Sequence, residues 1–215
     1  SGTGKTYVSD AAETLTVKAS DYAETDMEGL TESDGILWTQ GKGSLTYEFP
    51  VEEAGLYHVQ LTYYPDVNGT QAILRNLYVN GELPFDGCED IVINRLWVDD
   101  NKNWLMNTKG NQAAPTQVQK EGPGVAYLSS ESTGASGSYM FYFDKGKNTV
   151  TLESAQGNLG ISEIALVPAS EVLSYQKYYQ RYTEELETEI VSSNNVQDGA
   201  VIVQAEDAAN KTSSS

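Results

Sequence analysis

The middle of the chain alternates. Ser44-Leu-Thr-Tyr-Glu-Phe-Pro-Val51 carries apolar side chains at every second position, and Leu56-Tyr-His-Val-Gln-Leu-Thr-Tyr-Tyr64 does the same after Glu52-Glu-Ala-Gly55. A period of two fits a pleated strand with one buried face and does not fit a helix, so the pair reads as a hairpin or a cross-sheet connection. Ala72-Ile-Leu-Arg-Asn-Leu-Tyr-Val79 then runs into Asn80-Gly81. Both residues of that dipeptide tolerate the positive φ of a type I′ turn. Ser138-Tyr-Met-Phe-Tyr-Phe143 and Asn148-Thr-Val-Thr-Leu-Glu153, joined by Asp144-Lys-Gly-Lys147, form a further hairpin, and Ile161-Ser-Glu-Ile-Ala-Leu-Val-Pro168 closes the set. About eight to ten short strands, with turn signals between them and no helical period before Ser170, predict an all-β fold, a β-sandwich of jelly-roll type.

Past Pro168 the period changes. Val172, Tyr175, Tyr179, Tyr182, Leu186 and Ile190 recur every three or four residues, which predicts a helix over 170–190 with an apolar stripe. The stripe is expected to pack on the sandwich or on a neighbouring module. Ser192-Ser-Asn-Asn-Val-Gln-Asp-Gly199 reads as part of a polar linker over 191–200. Val201-Ile-Val-Gln-Ala-Glu-Asp-Ala-Ala209 then repeats the pattern of Leu15-Thr-Val-Lys-Ala-Ser-Asp-Tyr-Ala23. An entry strand that reappears in this way marks a tandem array, with 201–215 the truncated start of a second, similar module. Ser1-Gly-Thr-Gly-Lys-Thr6 is polar, and residues 1–14 are expected to be a flexible N-terminus. The sandwich itself is expected over 15–169.

Charge restricts the partners. Thirteen basic residues against 31 acidic ones give a net charge of −18, which repels nucleic-acid phosphates and anionic lipid. No apolar run approaches the length of a transmembrane helix, so no membrane insertion is expected. The single cysteine, Cys88, excludes an internal disulfide. The acidic, tyrosine-rich and lysine-poor composition fits a bacterial exterior.

Two sets of residues carry a resemblance. Trp38-Thr-Gln-Gly-Lys-Gly-Ser44, Tyr47-Glu-Phe-Pro-Val51 and Ala54-Gly-Leu-Tyr-His-Val59 resemble the central strands of carbohydrate-binding modules of the galactose-binding-like superfamily, families 6 and 35, and Gly157–Pro168 resembles their last strand. The second set is Arg75-Asn-Leu-Tyr-Val-Asn-Gly-Glu-Leu-Pro-Phe85, Arg95-Leu-Trp-Val-Asp-Asp100, Gly110-Asn-Gln-Ala-Ala-Pro-Thr-Gln-Val118 and Ser174-Tyr-Gln-Lys-Tyr-Tyr-Gln180. It is similar to the sandwich modules attached to family 1 extracellular solute-binding proteins of sugar ABC transporters. These resemblances imply an oligosaccharide or polysaccharide partner, neighbouring domains on the same polypeptide, and an extracellular, cell-surface-attached location. They also imply where a structural calcium would sit, at positions corresponding to Lys18, Ser20 and Ser162. Calcium needs six to eight oxygens with several carboxylates among them, so an ammonium at the first position argues that the metal site is lost. No cofactor is expected.

Sugar recognition needs an aromatic face for the pyranose ring and a few polar groups for its hydroxyls. The loops offer Trp38, Trp97 and Trp104 as platforms, with Arg95, Asp99, Asp100, Asn101 and Asn111 as polar partners. Trp104 stands in the polar stretch Asn101-Lys-Asn-Trp-Leu-Met-Asn107 and is the one most expected on display. Catalytic chemistry is thin. A Ser-His-Asp triad would have to use His58, the only histidine, and adjacent carboxylates such as Asp99/Asp100 point to opposite faces of a strand rather than at each other. The expected function is therefore a non-catalytic carbohydrate-binding module of a larger transport-associated or glycan-processing protein. A structural spacer with no glycan ligand is the alternative.

Overall fold

The computed structural model describes residues 6–9, 12–100, 105–106, 108–129 and 137–170, and in the C-terminal part 175, 179–180, 182–183, 196–197 and 200–201. The chain divides into two compact units, Ser1–Ser170 and Glu171–Ser215. In the first, the strands in chain order begin with β1 (Leu15–Lys18), β2 (Glu24–Thr25), β3 (Leu30–Ser33), β4 (Ile36–Thr39), β5 (Ser44–Val51), β6 (Gly55–Pro65) and β7 (Ile73–Val79). A 3-10 turn at Asp86–Cys88 precedes β8 (Ile91–Ile93), β9 (Trp97–Asp99), β10 (Leu105–Met106), β11 (Gln112–Ala113), β12 (Gln117–Gln119) and β13 (Gly124–Tyr127). The last three are β14 (Phe141–Phe143), β15 (Gly146–Gln156) and β16 (Leu159–Pro168).

These strands form a β-sandwich of jelly-roll type. One sheet runs β13-β6-β16-β4-β3, with β1 added to β16 and β14 to β6, and the facing sheet runs β2-β5-β15-β7-β8. Every named pairing is antiparallel. The alternation read from the sequence is the inward face: Leu45, Tyr47, Phe49 and Val51 of β5 lie against Tyr57, Val59, Leu61 and Tyr63 of β6 in one buried cluster. Outward positions of β6, such as His58, Gln60 and Thr62, are half-buried. Asn80 (φ 52°) and Gly81 (φ 79°) make the expected left-handed turn. That turn closes on Val79 and Glu82, whose backbones exchange hydrogen bonds of 2.9 and 3.1 Å, and the antiparallel partner of β7 arrives only later, as β8.

Within the N-terminal stretch, residues 6–9 contact the sandwich. The Ser9 backbone N–H and hydroxyl donate to the two Glu53 carboxylate oxygens at 2.6 and 2.7 Å, the Leu56 N–H donates to the Thr6 carbonyl, and Val8 is buried. Gly55 lacks the Cβ that would strike Val8. A short apolar anchor flanked by two hydrogen-bonding residues therefore outweighs the chain entropy that makes polar termini loose.

In the second unit Tyr175, Tyr179, Gln180, Tyr182 and Thr183 are helical. The Tyr175 and Tyr179 rings stack with centroids 6.2 Å apart, and the Thr183 hydroxyl lies within hydrogen-bonding distance of the Tyr179 and Gln180 carbonyls, at 3.0 and 2.8 Å. The rest of the span 170–190 lies outside the described residues. So do 202–215, most of the repeated strand, while Val196–Gln197 and Ala200–Val201 pair as a small hairpin.

The core holds phenols as well as hydrocarbon. Tyr47 is fully buried and donates its hydroxyl to the Ala19 carbonyl at 3.1 Å. Burial pushes the Tyr47, Tyr57 and Tyr63 phenols above their ordinary value of 10.0. In the unfolded chain these groups ionise first, so the stability they contribute is fully present below about pH 10 and is lost as the pH rises through the higher folded values. Urea midpoints measured from about pH 8 to about pH 11.5 are expected to fall, and Tyr47→Phe is expected to flatten the fall. An unchanged slope in the variant removes Tyr47 from this account.

Candidate functional site

Beyond the two sheets, β9 and β12 form an antiparallel ribbon with Trp97 opposite Gln119, Val98 opposite Val118 and Asp99 opposite Gln117. Cross-strand partners share a face and neighbours along a strand alternate. Trp97, Gln119, Asp99 and Gln117 therefore lie on one face, with Val98 and Val118 on the other. Trp97 is 54% exposed. Most of an indole is usually buried, so one more than half exposed on a hydrogen-bonded ribbon is informative. The Asp100 N–H donates to the Thr116 carbonyl at 2.8 Å and extends the pairing.

Arg95 holds this ribbon to the loop after β6. Its Nη1 donates to the Asp66 carbonyl at 2.5 Å and to Gln119 Oε1 at 3.0 Å, and Nε and Nη2 both donate to the Gln71 carbonyl, at 3.1 and 2.8 Å. Gln119 Nε2 reaches the Gly69 carbonyl at 3.2 Å. Asp66 carries the loop onward, accepting from the Asn68 N–H at 3.0 Å and from Asn158 Nδ2 at 3.1 Å. A side chain on Gly69 would meet Arg95 Nη2 at 2.8 Å. Arg95, expected among the ligand-facing groups, is thus spent on three protein partners. Its cationic fork suits carbonyl clusters as well as it suits a ligand, and sequence alone cannot separate the two.

The other expected residues are dispersed. Asp99 and Asp100 are exposed on opposite faces of the ribbon strand, and Asn111 is exposed in the turn between β10 and β11. Trp38 sits elsewhere, half-buried on the outward face of β4 opposite Gly160 of β16. A Cβ at Gly160 would come within 3.2 Å of the Trp38 indole, so the glycine is the floor on which the ring rests. Trp104 and Asn101 lie outside the described residues. Gln117 and Gln119 were not among the expected site residues. The alternation of Gln117-Val-Gln119 was a faint strand signal, but its partner strand was not legible.

Metal and catalytic chemistry find little here. Lys18 and Ser20 are exposed, and the Ser162 hydroxyl donates to the Thr62 carbonyl at 3.3 Å. Among the described residues no cluster of three His, Cys, Asp or Glu side chains could hold a metal ion. His58 is half-buried, with Nδ1 2.8 Å from the Tyr139 carbonyl and 2.9 Å from Ser138 Oγ. The carbonyl can only accept, so Nδ1 carries the hydrogen. A nitrogen already protonated cannot take the proton of Ser138, and the contact is no nucleophile-base pair. Nitrophenyl ester and glycoside hydrolysis by Ser138→Ala and by His58→Ala is expected to equal the parent at background level. Turnover above background that either variant removes would reinstate the dyad.

No protein-family model matches the chain, and no curated protein matches it. Solved structures do. The chain is similar to a family 35 carbohydrate-binding module from Clostridium thermocellum, at 14% identity over 74% of this chain and 100% of the module, with a TM-score of 0.42. It is similar to a GH26-CBM35 β-(1,4)-mannanase from Podospora anserina at 15% identity, covering 74% of this chain and 28% of that one, with a TM-score of 0.41. It is also similar to the C-terminal CBM6 of LamC, a marine laminarinase from Zobellia galactanivorans, at 15% identity over 72% of this chain and 99% of the module, TM-score 0.37.

Proposed function

We propose that this chain is a non-catalytic carbohydrate-binding module of a larger extracellular bacterial protein, one associated with sugar transport or glycan processing, and that it binds through the Trp97 face of the ribbon. The single observation that carries the reading is Trp97 itself, an indole 54% exposed on a strand whose register is fixed, with Asp99 and Gln117 beside it on the same face. A flat apolar surface next to hydroxyl-binding groups is what a pyranose requires. The repeated entry strand supports a further module on the same polypeptide.

One aromatic platform with two or three hydrogen bonds supports an affinity of about 10 μM to 1 mM. Calorimetric titration with mannan, laminarin, galactan and dextran oligosaccharides is expected to find a ligand in that range, and Trp97→Ala is expected to weaken it tenfold or more, about 1.4 kcal/mol. Binding that survives Trp97→Ala moves the site. A ligand-free spacer is the second reading, favoured by the commitment of Arg95 and Gln119 to loop carbonyls. A blank panel would establish it.

A further inference from the structure

We propose that the Trp97 face is selective for a cationic glycan, a polymer of unacetylated amino sugars, over neutral and acidic ones. This rests on the glycan-binding reading above. Along β9, Trp97 and Asp99 are two residues apart and about 7 Å between Cα atoms, the repeat of one strand face. A pyranose stacked on the indole carries its equatorial substituents at the rim of the ring, where the Asp99 carboxylate stands. An ammonium in that position pairs with the carboxylate and lies against the negative face of the indole, and each contact strengthens when the other excludes water.

The same face suits an acid less well. Lys120 follows Gln119 and alternates to the side of Val98 and Val118. A uronate stacked on Trp97 would bring a second carboxylate to Asp99, while the Arg95 guanidinium, bonded to Gln119 on this face, already directs its donors to Asp66, Gln71 and Gln119. Like charges so placed are repulsive, and the net charge of −18 adds to the repulsion of a polyanion and the attraction of a polycation.

The test uses the full chain and three hexamers of defined chemistry, glucosamine, N-acetylglucosamine and galacturonic acid, titrated at about pH 6, where a sugar amine is protonated and an ordinary carboxylate ionised. The glucosamine hexamer is expected to bind about tenfold or more tighter than the acetylated one, with Trp97→Ala and Asp99→Asn each removing most of that advantage. Glu48→Gln, on the facing sheet and paired with Lys147, is the control for net charge and is expected to change affinity less than about twofold. Equal binding of the two glucosamine forms, both lost in Trp97→Ala, overturns the charge selection and leaves the glycan site standing. Preferred binding of the galacturonate also overturns it. Equal weakening by Glu48→Gln and Asp99→Asn assigns the attraction to overall charge and overturns the site. Absence of binding by any hexamer, or binding indifferent to Trp97, overturns both the selection and the reading beneath it.

Discussion

An Arg75→Ala variant is expected to lose about 4 kcal/mol of stability, and on the order of 10 °C in thermal midpoint, more than any surface change in this chain. Arg75 is 1% exposed and stands on β7 facing the interior. Its Nη1 donates to the Leu74 and Gln156 carbonyls, both at 2.8 Å, and its Nη2 to Thr39 Oγ1 at 2.9 Å and the Gly157 carbonyl at 3.0 Å. Thr39 passes the chain of bonds to the Leu159 carbonyl at 2.8 Å. The guanidinium therefore ties β7 of one sheet to β4 of the other and to the turn that joins β15 to β16. Its partners are carbonyls and a hydroxyl, and burial lowers its pKa to about 10, which leaves it charged at neutral pH. Truncation leaves a cavity and several buried acceptors with no donor, each costing about 1–3 kcal/mol. Arg75→Lys keeps the charge but supplies one ammonium where a planar fork spans the carbonyls, and about half the loss is expected to remain. Chemical denaturation of the three proteins decides it. A loss below about 1 kcal/mol in Arg75→Ala would show that the turn and both sheets hold without the guanidinium.

The second large effect belongs to Gly43→Ala, expected to cost about 3 kcal/mol or more. Gly43 has φ of +121°, and a Cβ there would lie 2.5 Å from Met27 Cα and 2.7 Å from the Asp26 carbonyl. Backbone, not a flexible side chain, fills the space. The segment from Thr25 to Glu28 crosses directly over 41–44, where Asp26 Oδ1 accepts from the Ser44 N–H and hydroxyl at 2.7 and 2.8 Å and the Glu28 N–H donates to the Lys42 carbonyl at 2.9 Å. Gly35→Ala is the control, since its φ of +74° is also left-handed but nothing lies within 4 Å. Strain at its left-handed φ should cost it only about 1 kcal/mol, and the excess in Gly43→Ala measures the crossing together with the larger strain of φ +121°. Equal losses in the two variants would remove the crossing from the account.

Gly41-Lys-Gly43 was visible in the sequence as part of a family resemblance, yet the crossing segment that makes Gly43 necessary was not. The same division holds at the ribbon. Trp97 and Asp99 stood out by type but were read as loop residues, and their shared face followed only from the strand β9. That Gln117 and Gln119 lie opposite them, and that Arg95 serves the loop at Asp66 and Gln71, required the pairing of segments about 20 to 30 residues apart.

What the sequence determined by itself is what short range dictates. Period-two alternation fixed which faces of β5 and β6 are buried, and Asn80-Gly81 fixed a left-handed turn. Each of these depends on neighbours in the chain, so composition and spacing carry it. The tertiary structure alone decided the rest: the sheet order that puts β15 between β5 and β7, the buried position of Arg75, the anchored N-terminal segment, and the ribbon that displays Trp97. These depend on which distant strand arrives alongside and on whether a polar group then finds partners, and a buried guanidinium or an exposed indole differs from its opposite only in those neighbours.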